Sequence, residues 1–147
     1  MFLIIFILTL ALDQVSKYLV ASEMLEGQTV PFINGIFDIT YVKNTGAAFN
    51  IFDEKPVLLF VITGCLLLLL FVYVIKEKSK LSVLEKISLS MITSGGLGNI
   101  ITRAVYSFVI DFFNFYFWPV FNVADVFICI GCGLLILYVF LIDNKKN

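Results

Sequence analysis

Four long runs of apolar residues alternate with more polar segments along the chain. The runs cover residues 2–20, 57–75, 87–106 and 123–142. Each is close to the ~20 residues that an α-helix needs to cross about 30 Å of hydrocarbon. The pattern predicts an all-α membrane protein with four transmembrane helices, in a single domain that covers the whole chain. The first run is broken early by Asp13, but no basic segment precedes it as one would in a cleaved signal peptide.

The first connection, residues 21–56, has the pattern of a small sheet. Segments 29–33 and 36–42 are rich in β-branched and aromatic residues, and the dipeptide Asn34-Gly35 lies between them. Such a dipeptide commonly forms the turn of a β-hairpin. Polar and apolar residues alternate in the second segment, which gives one apolar and one polar face. We expect a small hairpin or sheet in this outer loop, lying on the membrane surface.

The lysines are distributed unevenly between the connections. They crowd the short second connection and follow the last run: Lys76, Lys78, Lys80, Lys86, Lys145 and Lys146. The positive-inside rule places both regions on the cytoplasmic side. Both termini are therefore expected to be cytoplasmic, and the first and third connections face outward. Within the third connection, residues 107–122, the segment 112–118 holds six aromatic residues that are typical of an interfacial aromatic belt.

The composition supports a membrane protein and excludes several functions. The chain of 147 residues is 61% hydrophobic and 14% charged, whereas soluble domains have about a quarter of their residues charged. A net charge of -1 without a basic cluster argues against nucleic-acid binding. Histidine is absent from the sequence, which removes Ser-His and Cys-His catalytic pairs and the commonest zinc ligand. We expect no metal and no cofactor.

The three cysteines carry no predicted chemistry. Cys65, Cys129 and Cys132 all lie inside apolar runs. We expect them to be small buried residues that fill space between helices.

Five ionisable residues lie within or beside the predicted spans. They are Asp13, Lys17, Arg103, Asp111 and Asp125. A charged side chain at membrane depth costs about 2.5 to 3.5 kcal/mol on insertion scales, so such residues are functional candidates. In the predicted orientation all five lie near the outer ends of their helices. Asp13 and Lys17 are spaced i, i+4, so they can neutralise each other, and the same pair can set the field around a site.

Asp111 and Asp125 are the candidates for chemistry. Each is flanked by apolar residues, which raise the cost of ionisation. Two such carboxylates held close together share a proton, and an aspartic peptidase uses this arrangement to activate water and polarise a carbonyl. Their separation of 14 residues permits contact without requiring it. Interfacial helix caps or structural hydrogen-bond acceptors remain alternatives.

Two further segments have structural explanations. Residues 94–99 (SGGLGN) lie inside the third run, where small residues allow close helix packing and Asn99 can hydrogen-bond between helices. Residues 44–49 (NTGAAF) follow the hairpin, where Gly46 suits a turn with unusual backbone angles.

Taken together, the polar segments resemble the signature blocks of the lipoprotein signal peptidase (signal peptidase II) family, in order and along nearly the whole chain. The matching blocks are residues 13–17 (DQVSK), 44–49 (NTGAAF), 95–99 (GGLGN) with Arg103, 109–112 (VIDF) and 121–125 (FNVAD). The resemblance implies a bacterial inner-membrane aspartic endopeptidase whose active site lies near the outer face.

The resemblance also implies roles for individual residues. Asp111 and Asp125 would be the catalytic pair. Asn44, Asn99, Arg103 and Asn122 would line the pocket that holds the substrate backbone. Gly46 would belong to the same group of substrate-binding or supporting residues, and Asp13 and Lys17 would support the pocket. The substrate would be a prolipoprotein with a diacylglyceryl-modified cysteine, cut before that cysteine. Membrane lipid and a globomycin-type inhibitor would be further ligands, and we expect a monomer.

The third block departs from the family pattern at one position. Thr102 stands where the family usually has aspartate, directly before Arg103. A threonine can donate and accept a hydrogen bond but carries no charge. We therefore expect weaker electrostatic anchoring of Arg103 and lower stability, without loss of the chemistry.

Two other functions compete with the peptidase. A small proton-coupled transporter would also use intramembrane carboxylates, although we would expect those near the midplane of the bilayer. A catalytically silent helical partner protein would use the glycines and asparagines for packing alone.

Overall fold

The computed structural model describes residues 1–46 and 56–146, with side chains for 1–46, 57–58 and 60–140. The helices are α1 (Phe2–Glu23), α2 (Pro56–Glu77), α3 (Val83–Tyr106) and α4 (Val123–Lys146). The strands are β1 (Thr29–Ile33), β2 (Phe37–Asn44) and β3 (Val109–Phe115), which form an antiparallel sheet in that order. Each helix lies over one of the predicted apolar runs and extends beyond it.

The helical part has polar residues inside and apolar residues outside. Ser88, Ser90, Thr93 and Ser94 of α3 are buried, whereas large apolar side chains on α1, α2 and α4 are widely exposed. This arrangement is typical of a protein whose solvent is lipid, because polar groups must then find partners inside the protein. α1, residues 60–77 of α2 and residues 123–140 of α4 are long and apolar enough to cross a membrane.

Helix α3 lies at the centre and contacts the other three helices through its glycines. A Cβ on Gly95 would meet the carbonyl oxygen of Ala124 in α4, and one on Gly96 would meet the side chain of Leu67 in α2. A Cβ on Gly98 would collide with the carboxylate of Asp13 in α1. The glycines therefore permit the close helix packing that the sequence predicts, and they bring the polar residues of α1, α3 and α4 together.

These contacts give a prediction for two neighbouring glycines. Gly95→Ala is expected to lower the free energy of unfolding by about 1 to 3 kcal/mol, because its Cβ would lie 2.5 Å from a backbone oxygen that only a shift of α4 can relieve. Gly96→Ala is the matched control, since the three atoms nearest to its Cβ all belong to the movable side chain of Leu67. Thermal unfolding in detergent compares the two. Equal losses of stability would contradict this account of the packing.

The sheet contains the predicted hairpin and a third strand that we did not predict. Gly35 has φ +75° in the turn between β1 and β2, as the Asn34-Gly35 pair requires. Strand β3 comes from the segment interpreted as an aromatic belt, and it pairs with β2. The aromatic residues are therefore divided: Phe112 is buried, whereas Phe117 and Trp118 are exposed.

The sheet and the helices share a small core. Tyr41, Ile110 and Phe112 are buried together, and Val20 of α1 and Val123 of α4 pack against them. This contact fixes the start of β3 beside the start of α4, which are the elements that carry the two candidate aspartates.

The prediction for the cysteines is wrong. Cys65, Cys129 and Cys132 are free, exposed thiols on α2 and α4. A small, weakly polar side chain tolerates contact with lipid as well as it tolerates a packed interior, so an apolar run alone does not indicate which way a cysteine points.

Candidate active site

Asp111 and Asp125 lie on the wall of one cavity. Asp111 belongs to β3 and is 2% exposed, and Asp125 belongs to the first turn of α4. Both line a pocket of about 890 Å³. Asp111 and Asp125 are separated in the sequence by an aromatic segment. They come together because β3 pairs with β2 and α4 packs against α3.

Asn122 lies between the two carboxylates and bonds to both residues. Its Nδ2 donates to Asp111 Oδ1 at 2.6 Å, and its backbone N–H donates to Asp125 Oδ2 at 3.2 Å. Its Oδ1 accepts from the N–H of Asp125 at 3.1 Å. The last two bonds form the reciprocal arrangement of a capping box at the start of α4. Asn122 is fully buried and is not among the residues that line the pocket.

Asn99 connects Asp125 to a buried ion pair. Its Nδ2 donates to Asp125 Oδ1 at 2.9 Å, while its Oδ1 accepts from Lys17 Nζ at 2.7 Å. Lys17 in turn forms a 2.9 Å ion pair with Asp13, and both side chains are almost completely buried. Lysine has only donors, so Lys17 fixes the orientation of the Asn99 amide with its N–H group toward Asp125.

Asp13 also fixes the position of helix α4. Its Oδ1 accepts from the backbone N–H of Ala124 at 2.9 Å, directly before Asp125. Gln14, which the sequence did not single out, donates to Asp13 Oδ2 at 2.9 Å and to the carbonyl of Gly98 at 3.1 Å. The predicted supporting pair thus touches the elements of the site, while neither Asp13 nor Lys17 lines the pocket.

The end of β2 supplies the other neighbours of Asp111. Asn44 Nδ2 donates to Asp111 Oδ2 at 2.7 Å, and Asn44 Oδ1 accepts from the N–H of Gly46 at 2.9 Å. Arg103 donates from its NH2 group to the carbonyl of Gly46 at 2.9 Å. Residues 47–49 of the NTGAAF block lie outside the described residues.

Thr102 is buried at 2% exposure and does not line the cavity. Its hydroxyl donates to the carbonyl of Gly98 on its own helix at 2.9 Å. Within the described residues, Arg103 is held by the backbone of Gly46 and not by its neighbour in the sequence.

The rest of the cavity wall is largely apolar and was not predicted. It comes from the start of β3, from the segment after β3 and from one side of α4: Val109, Trp118, Pro119, Val120, Phe121, Val126, Ile128, Cys129 and Ile130. A polar end with two carboxylates and an apolar flank open to the outside suit an extended, partly apolar ligand.

Burial controls the protonation of Asp111. Loss of solvation raises its pKa to about 7, and the nearby charge of Asp125 adds to the rise. The amides of Asn44 and Asn122 act in the opposite direction. One proton is therefore held in the pair near neutral pH, as acid–base chemistry by two carboxylates requires.

This raised pKa gives a prediction for stability. The folded protein retains a proton on Asp111 that the unfolded chain has lost, so stability should fall as pH rises from about 4 to about 7. In Asp111→Asn this part of the pH dependence should disappear. Thermal unfolding of the parent and the variant across this pH range measures the difference. An identical slope in both proteins would contradict the assignment.

The fold and the site together define a helical membrane protein in which buried polar groups surround a pair of carboxylates, the arrangement of an aspartic peptidase. A family model described as signal peptidase (SPase) II matches residues 5–141. The chain belongs to the signal peptidase II family, and this family consists of peptidases.

Curated relatives and solved structures agree with the family model. The lipoprotein signal peptidase of Clostridium acetobutylicum is 39% identical and covers 92% of this chain and 90% of its own length. That of Clostridioides difficile is 36% identical and covers 100% and 99%. A bacterial membrane enzyme structure obtained by the in meso method at 2.3 Å resolution matches with a TM-score of 0.92 and 31% identity, over 99% of this chain and 91% of that one.

Proposed function

We propose that this protein is an aspartic endopeptidase that removes the signal peptide from diacylglyceryl-modified bacterial prolipoproteins, with Asp111 and Asp125 as its catalytic pair. The observation that carries the proposal is the placement of both carboxylates on one cavity, joined through Asn122. Membership of the signal peptidase II family supports the substrate class.

The proposed reaction uses a water held between the two aspartates. The ionised aspartate takes a proton from this water, whose oxygen attacks the carbonyl carbon of the residue before the lipidated cysteine. The protonated aspartate donates a hydrogen bond to the carbonyl oxygen. When the C–N bond breaks, a proton from the pair passes to the leaving amine. The products are a signal peptide with a new carboxylate and a lipoprotein with a cysteine amine at its N-terminus.

The walls of the cavity support this substrate. Asn44, Asn99 and Arg103 line its polar side and can hydrogen-bond an extended peptide backbone. The apolar side along α4 can contact the hydrocarbon parts of a lipid-anchored peptide. Asn122, Asp13 and Lys17 would act indirectly, by holding the residues that touch the substrate.

We further propose that all four helices cross the bacterial inner membrane, with both termini in the cytoplasm. α3 is less apolar than the other helices, but α1, α2 and α4 surround it, so its serines need not face lipid. The lysine-rich connection lies between the end of α2 and the start of α3, at the opposite ends of the helices from the site. The positive-inside rule then places the sheet and the cavity at the outer face.

The competing functions are less well supported. The transporter is not favoured, because the family and its curated members are peptidases. A silent partner protein has no use for two carboxylates on one cavity. We propose a monomer, because one chain supplies every residue of the site.

A cleavage assay tests the function directly. The purified protein in detergent should shorten a diacylglyceryl-modified prolipoprotein on a gel, and globomycin should prevent this if it occupies the cavity as a peptide mimic. The same precursor without the diacylglyceryl group is the control and should remain uncut. Failure of the folded protein to cut the modified precursor would overturn the proposed function.

A further inference from the structure

The two aspartates have different surroundings. Among the contacts of the described residues, Asp111 accepts from the neutral amides of Asn44 and Asn122. Asp125 lies in the first turn of α4 and accepts from the backbone N–H of Asn122 and from Asn99. A helix N-terminus favours negative charge, and of the two aspartates in the pair, Asp125 is the one that accepts from a backbone N–H at this helix end among the described residues.

The side-chain amide of Asn99 connects Asp125, but not Asp111, to the buried ammonium group of Lys17. Its oxygen accepts from Lys17 at 2.7 Å and from Asn122 Nδ2 at 3.2 Å. Because the amide oxygen of Asn99 accepts from two donors, its NH₂ group must point the other way, toward Asp125. The positive charge of Lys17 thus polarises an amide that ends on Asp125, and nothing equivalent ends on Asp111 within the described residues.

Three other charged groups near the pair bond to other partners among the described residues. Asp13, from α1, is compensated by Lys17 and by the backbone of Ala124. Arg103, from α3, lines the cavity and donates to Gly46, and it forms no ion pair with either carboxylate among the described residues. Lys43, from β2, pairs with Glu26 at 2.7 Å.

From these contacts we propose that Asp125 carries the negative charge of the resting pair and Asp111 its proton, and that Lys17, acting through Asn99, is the positioning residue that maintains this division. The inference rests on the proposed function for its chemical meaning. Asp125 is then the base that takes the proton from water, and Asp111 is the acid that hydrogen-bonds the substrate carbonyl. The raised pKa of Asp111 agrees with this assignment.

An infrared titration without substrate tests the assignment independently of cleavage. At about pH 6 the folded parent should show the C=O band of a protonated, buried carboxyl group. This band should be lost in Asp111→Asn and kept in Asp125→Asn, because burial is the main cause that keeps Asp111 protonated. A band that survives in Asp111→Asn, or one that is lost in Asp125→Asn, overturns the assignment.

A test of the role of Lys17 must not leave Asp13 as an unpaired buried charge, which would destabilise the fold by itself. Asp13→Asn combined with Lys17→Met removes the ion pair as a unit, and it also removes the Asp13 carboxyl from the infrared signal. The carboxyl of the pair that is ionised in the parent should then take up its proton at a pH about one unit higher. Cleavage falls at low pH when this carboxyl is protonated, so the acid limb of the plot of cleavage rate against pH should move by the same amount. The limb on the alkaline side should stay in place.

Two control variants separate this effect from general disturbance of the interface. Thr9→Val removes the 2.6 Å contact between Thr9 and Ser94, at the same α1–α3 interface but away from the site, and it should leave both limbs unchanged. Lys17→Arg keeps a charged donor and should restore the parent profile. An acid limb that stays in place in the double variant, or that moves equally in Thr9→Val, overturns the role of Lys17 while the proposed function stands.

Discussion

Replacing either Asp111 or Asp125 with asparagine is expected to lower kcat for prolipoprotein cleavage by about 10⁴-fold. Asparagine is close to aspartate in shape, but it can neither take a proton from water nor give one to the leaving amine. Both carboxylates line the same cavity, so the loss should be similar in the two variants. The measurement is the gel-shift cleavage of a diacylglyceryl-modified precursor in excess over the enzyme, followed at steady state.

The matched control for this experiment is Asp38→Asn. Asp38 is also a buried aspartate, at 4% exposure, but it lies in β2, bonds to the hydroxyl of Tyr116 and does not line the cavity. Its variant should keep turnover within a few-fold of the parent. Retained turnover in Asp111→Asn or Asp125→Asn would contradict the catalytic pair, and an equal loss in Asp38→Asn would indicate general damage to the fold.

The helices and the hairpin could be predicted because their signals are local. An apolar run of about 20 residues has few alternatives to a helix in a membrane protein, and the Asn34-Gly35 turn requires the positive φ that Gly35 adopts. Strand β3 has no such signal. Its residues become a strand by pairing with β2, which lies far away in the sequence, so aromatic residues alone suggested a surface belt.

The candidate site could be predicted as a set of residues but not as a network. Resemblance to the family identified Asp111, Asp125 and their polar neighbours, whereas spacing could not show which groups touch. No pattern of residues indicated that Thr102 bonds to its own helix, or that Gln14 joins Asp13 to the carbonyl of Gly98. Such contacts depend on how closely and at what angle the helices pack. The glycines of α3 permit close packing, but the angle also depends on the partner helices.

Asn122 illustrates how a residue can serve the site without touching the substrate. Its side chain is completely buried, so it cannot contact a peptide in the cavity while the site keeps this geometry. Its bonds nevertheless reach Asp111, Asp125 and Asn99. It is therefore a positioning residue whose removal should affect the chemical step more than binding.

Asn122→Ala is expected to lower kcat by about 10² to 10³-fold with little change in KM, because it frees Asp111 from one of its two donors and opens the first turn of α4. It should also lower the free energy of unfolding by about 1 to 3 kcal/mol, through the lost cap and the unsatisfied buried groups. Single-turnover cleavage, KM and thermal unfolding measure the three effects.

Asn122→Ser separates the cap from the bridge between the aspartates. A serine at this position can still accept from the N–H of Asp125 and cap α4, but it lacks the amide N–H group that reaches Asp111 Oδ1. Stability should recover in this variant, whereas kcat should remain near that of Asn122→Ala. A serine variant that recovers full activity would show that the cap alone matters, and a rise in KM without loss of kcat would place Asn122 in substrate binding instead.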